Sequence, residues 1–122
     1  MIGYITLGTH DLAHAARFYD ALVGELGAKR MMVMERLIAG SVSPSKPGIG
    51  VGYPYDGKPA TVGNGVMVAL LVDSREKVDR IHARALALGA TDEGAVGPRG
   101  EGFYAGYFRD PDGNKLNVFY AG

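Results

Sequence analysis

Apolar and polar positions follow two periods along this chain, and the same succession of periods occurs twice. Tyr4 to Gly8 reads as a first strand. After Asp11, a predicted N-cap, Leu12, Ala15, Tyr19, Leu22, Val23 and Leu26 recur on one face of a helix that Gly27 closes. Lys29 to Ser43 predicts two strands about a bend near Gly40, Pro44 to Gly48 a turn, and Ile49 to Tyr55 a fourth strand weakened by its two glycines. Asp56 to Gly65 is a loop and the natural midpoint. Val66 to Val72 then predicts a continuous apolar strand. Asp73 is placed as the cap of a second helix, with Glu76 completing a capping box. Val78, Ile81, Ala85 and Leu88 form its apolar face, and Gly89 ends it. Gly94 to Gly102 reads as a Gly-rich loop. Phe103 to Phe108 and the stretch after Asp110-Pro-Asp-Gly-Asn114 form a closing hairpin, in which Leu116, Val118 and Tyr120 alternate with Asn117 and Phe119.

The halves match at a constant offset of 62: Asp11 with Asp73, Leu26 with Leu88, Gly27 with Gly89, Ala28 with Ala90. The matches fall on helix caps and helix ends, so a structural repeat explains them better than chance. Each half is strand, helix, then strands. The fold class is therefore α+β: two tandem βαβββ modules, about 1–60 and 61–122, in one domain.

Composition narrows what such a protein does. Hydrophobic residues make up 47% of the 122, enough for a core, and the formal net charge is zero, which lacks the electrostatic footprint of nucleic-acid or polybasic membrane binding. The absence of cysteine excludes disulfides, thiolate metal sites and thiol catalysis. No apolar run reaches the ~20 residues that span a bilayer. Met1-Ile-Gly-Tyr4 has neither a basic n-region nor a signal-peptide core, so a cytoplasmic protein is expected. No nucleophile triad, Walker loop or dinucleotide fingerprint is present; Gly48-Ile-Gly-Val-Gly52 opens no helix. His10 and His14 have metal-ligand spacing, but lack a third donor and read as solvated residues at a helix entrance. His82, next to Ile81, reads as a surface or boundary residue.

The repeat, a first helix bearing Arg17-Phe-Tyr19, and the Asp-Pro-Asp-Gly-Asn hairpin together resemble the vicinal oxygen chelate superfamily of glyoxalase I, bleomycin- and fosfomycin-resistance proteins and extradiol dioxygenases. The resemblance spans essentially the whole chain. It implies a curved mixed sheet around a cleft with helices outside, a small-molecule ligand, a homodimer and, by default, a divalent metal. It also implies four ligand positions, normally His, Gln or Glu. Three fall on Tyr4, Met67 and Asn117. The other lies on the strand near 49–55, and from Leu37 to Ser74 there is no His, Glu or Gln. A phenol, a thioether and a neutral amide suit no zinc, nickel, manganese or iron site, so no metal cofactor is expected.

The implied geometry turns Tyr4, Met67, Asn117 and Phe119 toward the cleft, where they would either meet a ligand or fill a collapsed core. Tyr53, Tyr104 and Tyr107 border it, for stacking or for ordinary packing. Arg99 and Glu101, in the Gly-rich loop, are candidates for an anion contact and a base, or else solvated loop residues. The run Met31-Met-Val-Met34 is either an adaptable apolar surface or ordinary strand packing. The expected function is metal-free binding of a small molecule. The alternative is a metal-dependent glyoxalase-like lyase or isomerase, or a ring-cleaving dioxygenase; a third possibility is a module with a closed core.

Overall fold

The computed structural model describes residues 1–122. The chain divides into two compact units, Met1–Val62 and Gly63–Gly122. The first contains β1 (Tyr4–Gly8), α1 (Leu12–Gly24), β2 (Lys29–Val33), β3 (Leu37–Ser41) and β4 (Gly48–Gly52), with sheet order β1-β4-β3-β2. The second contains β5 (Val68–Leu71), α2 (Arg75–Ala87), β6 (Thr91–Pro98), β7 (Phe103–Arg109) and β8 (Lys115–Ala121), with order β5-β8-β7-β6. In each unit the first strand pairs parallel with the last, and the other pairings are antiparallel. Both sheets are therefore mixed, and both units are βαβββ.

Each helix covers one face of its own sheet. Leu12, Ala15, Ala16, Phe18, Tyr19, Leu22 and Val23 are the buried side of α1; Val78, Ile81, His82 and Ala85 are that of α2. Gly27 and Gly89 take φ of +85° and +106°, as glycines after a helix do. The following amides close the same six-residue ring, Ala28 N–H to Val23 C=O and Ala90 N–H to Ala85 C=O.

At the N-termini the repeat shifts by one residue. Asp11 caps α1 by accepting the His14 N–H, but α2 is capped by Ser74, whose hydroxyl accepts the Lys77 N–H at 3.2 Å. Asp73 instead pairs with the Lys77 ammonium at 2.8 Å, which holds its carboxyl below the usual range. A hydroxyl one residue closer meets the free amide more directly than the carboxylate does. The helices thus correspond at an offset of 63, and the glycines that follow them at 62.

Several strand boundaries also differ from the sequence pattern. The turn between β2 and β3 lies at 34–36, while Gly40 is inside β3, where a Cβ would stand 2.8 Å from the Lys29 carbonyl oxygen. The fourth strand ends at Gly52 and the fifth begins only at Val68. Residues 94–98 belong to β6; register shifts on either side of Gly94 let this Gly-rich segment pair with β7. The closing hairpin is as predicted. Gly113 has φ +93°, and Asp110, 2% exposed, accepts the Asp112 and Asn114 amides on Oδ1 and the Asn114 side-chain amide on Oδ2.

Candidate functional site

The faces turned away from the helices hold most of the candidate residues. In the first sheet the register Tyr4↔Gly48, Thr6↔Gly50 and Gly8↔Gly52 places all six residues on one face, because successive side chains alternate. Ile49, Val51 and Ile38 point the other way and line a hollow with Ala16, Tyr19 and Val23 of α1. The helix-free face is thus almost bare along β4. At one end it opens into a recess of about 500 Å³, lined in part by Thr6, Leu37, Gly52, Tyr53 and Tyr55. Tyr53 is partly committed there: its Oη accepts the Leu12 N–H at 3.1 Å, satisfying one of the free donors at the start of α1. Tyr4 stands 57% exposed on β1.

In the second sheet His82 of α2 lies against Gly106 and Phe108. The even residues of β7, with their partners Leu116, Val118 and Tyr120, therefore face the helix. The odd residues form the free face: Phe103, Ala105, Tyr107 and Arg109 beside Lys115, Asn117 and Phe119. Phe103 and Phe119 stack with ring centres 5.1 Å apart. Asn117 lies opposite Tyr107 on one side and Ala69 on the other. It is 2% exposed, and its Oδ1 is buried with no hydrogen-bond partner.

Arg99 is not a loose lid residue. It donates to the carbonyls of Ala95, Gly97 and Pro98, and its guanidinium stands 5.4 Å from the Tyr107 ring centre. Gly94 makes room for this arrangement, since a Cβ there would stand 3.2 Å from the Tyr107 ring and 3.5 Å from the guanidinium. Glu101 is exposed in the short turn that follows. Tyr104 is on the helix side, where its hydroxyl donates to Asp79 at 2.7 Å; this bond, first among the causes, raises the phenol pKa. His82 is buried rather than at the surface, with Nε2 3.1 Å from the Tyr107 carbonyl oxygen and 3.2 Å from Asp92 Oδ1. Sequence reasoning missed Lys115, which stands 5.7 Å from the Tyr107 ring centre. Its alternation with Asn117 in the last strand was the available signal.

The chain matches the family model of the Glyoxalase/Bleomycin resistance protein/Dioxygenase superfamily over residues 1–118. It belongs to that superfamily. A solved glyoxalase/bleomycin resistance protein from Albidiferax ferrireducens T118 is 35% identical, with a TM-score of 0.91 and 100% of this chain and 99% of that one covered. Two further structures share the fold. The lactoylglutathione lyase of Agrobacterium tumefaciens is 22% identical, TM-score 0.73, covering 98% and 92% of the two chains. The genomically encoded fosfomycin resistance protein FosX of Listeria monocytogenes is 20% identical, TM-score 0.76, covering 100% and 93%. No curated protein matches the sequence significantly.

Registers now locate the superfamily's implied metal positions within each unit. Ala69↔Asn117 in the second sheet corresponds to Thr6↔Gly50 in the first, and Met67 precedes Ala69 as Tyr4 precedes Thr6. The strand position left open in the sequence is therefore Gly50, which has no side chain. Tyr4, Gly50, Met67 and Asn117 do not form a donor set for a borderline divalent ion. No group of three or more His, Cys, Asp or Glu side chains comes together to hold a metal. No helix is long and apolar enough to cross a membrane.

Proposed function

We propose that this chain is a cytoplasmic, small-molecule-binding member of the superfamily that works without the family's divalent metal. The observation that carries the reading is Asn117. At a position where the resemblance implies a metal-ligating His, Gln or Glu, the chain has an asparagine whose buried oxygen lacks a donor. A buried acceptor left unpaired costs free energy, and a ligand N–H or O–H relieves that cost. Apolar and aromatic side chains around it, Met67, Tyr107 and Phe119 among them, match the usual make-up of a ligand pocket. Within the same unit Arg99 supplies a cation beside the Tyr107 ring and Glu101 stands exposed in the turn after β6, while Tyr4 and Tyr53 are the candidate polar contacts of the first unit. Lyase or ring-cleaving chemistry that depends on a metal finds no donors to hold one here.

Elemental analysis and thermal-shift titration with Zn²⁺, Ni²⁺, Mn²⁺ and Fe²⁺ test the metal-free reading. A ligand that binds only the native state raises the melting temperature by mass action. The expected result is no stoichiometric metal and no saturable shift with any ion. A saturable shift that disappears in Asn117→Leu would overturn the proposal. Homodimerisation fits the same reading: β2 is an edge strand exposed along its length, and Met31, Val33 and Met34 are at least half exposed. Light scattering on the eluting protein tests it, with a monomer at all concentrations as the contrary result.

A further inference from the structure

Two cations flank one ring on the helix-free face of the second sheet. The Arg99 guanidinium and the Lys115 ammonium lie 5.4 and 5.7 Å from the Tyr107 ring centre, and neither has a carboxylate partner. The Arg99 hydrogen bonds go to carbonyl oxygens only. Lys115 is half-buried, and the Tyr107 ring is its one polar contact. Glu93, on β6 of the same sheet, is held by Arg109 at 3.1 Å. Lysine lays its stem along apolar surface and keeps its ammonium accessible, so the Lys115 charge is available to an anion. Beside this pair of charges lies Asn117, directly opposite Tyr107 and two residues on from Lys115 in the same strand. Its buried oxygen accepts a hydrogen bond that the protein does not supply. The face thus presents positive charge, a flat ring and an unpaired acceptor together. Lys115 and Asn117 are about 6.5 Å apart along the strand, within the span of one small molecule.

We propose that this face binds a small organic anion carrying an N–H or O–H donor near its charge. The oxyanion sits at Lys115 and Arg99, the donor bonds Asn117 Oδ1, and an apolar or aromatic body lies against Tyr107. This assignment rests on the small-molecule reading above and adds the chemical class of the ligand.

Three related probes separate its parts. Hippurate has a carboxylate, an amide N–H and a ring; methyl hippurate lacks the charge; N-benzoylsarcosine lacks the N–H. Binding is followed by titration with backbone and side-chain NMR. Hippurate is expected to bind saturably, with shifts at Tyr107, Lys115 and Asn117. Each analogue is expected to bind about tenfold more weakly, the loss of one buried or charge-assisted hydrogen bond. In Lys115→Met the preference for hippurate over its ester narrows, with Arg99 still in place; in Asn117→Leu hippurate and N-benzoylsarcosine bind alike. Circular-dichroism melts of both variants establish that they are folded.

Equal binding of all three probes at this face would overturn the anion assignment and leave the small-molecule reading standing. An unchanged preference in folded Lys115→Met, shifts confined to the first unit, or no binding of any probe at millimolar concentration would also overturn it. Failure of the metal-free part of that reading has a separate signature, the saturable metal shift described above.

Discussion

Replacing Asn117 with leucine removes the one buried side-chain oxygen in the protein that lacks a partner. Unpaired acceptors of this kind cost about 1–3 kcal/mol, and an apolar side chain of similar shape eliminates that cost. Leucine branches at the same carbon as asparagine, and its site lies between Tyr107 and Ala69 on a face that also carries Phe119. Some of the gain is lost in repacking, because a well-filled core tolerates even volume-conserving changes imperfectly. A net stabilisation of about 1–2 kcal/mol is expected. In a chain of this size 1 kcal/mol corresponds to roughly 4 °C, so the melting temperature should rise by about 4–8 °C. Calorimetry measures the shift, and urea unfolding checks that it reflects stability, with a higher midpoint at an unchanged slope. The same variant should bind hippurate about tenfold more weakly, since the oxygen left unpaired in the free protein is the one assigned to the ligand. A variant that is less stable than the parent by 1 kcal/mol or more would refute the reasoning, because the amide would then be stabilising the fold instead of awaiting a partner.

Other consequences are open to similar tests. Ser74→Ala should cost about 1 kcal/mol in urea unfolding through loss of the α2 cap, whereas Asp73→Ala should leave the midpoint essentially unchanged. Gly106→Ala places a Cβ 2.8 Å from Val96 Cγ1 and 2.9 Å from His82 Cδ2, and should destabilise by about 1–3 kcal/mol in the same assay. His82→Ala empties that space and removes the bond to the Tyr107 carbonyl, for a loss of about 2–4 kcal/mol. Tyr104 should titrate above the usual phenol range, and ultraviolet titration of Asp79→Asn should bring it down. A raised folded-state pKa means that the contribution of this bond to stability is full below the unfolded pKa of tyrosine and is lost as pH rises through the folded one.

The repeat, both helix faces and the closing hairpin were legible in the sequence because they are local. A helix face depends on residues three and four apart, and the turn at Asp110 on five consecutive residues. The residue types at the positions that the resemblance implies, Tyr4, Met67 and Asn117, were equally plain, since they are read directly from the chain. Elements governed by competition between distant partners were less legible. The bend assigned to Gly40 proved to be a close approach to the Lys29 carbonyl within a strand. The loop assigned to 94–102 is mostly strand, since pairing with β7 outweighs the low strand propensity of glycine. His82 resembled a surface residue, for nothing nearby in sequence reveals that Gly106 leaves space for an imidazole beside Tyr107 and Asp92.

By itself, then, the sequence determined the α+β class and the duplicated module, both properties of short-range period. Only the tertiary structure identified Gly50 as the counterpart of Asn117, left the amide oxygen of Asn117 without a donor, and set Arg99 and Lys115 on the ring of Tyr107. The physical reason is register. Which side chains share a sheet face, and which polar atoms find partners, depends on how strands far apart in the chain align, and a slip of one residue reverses every assignment.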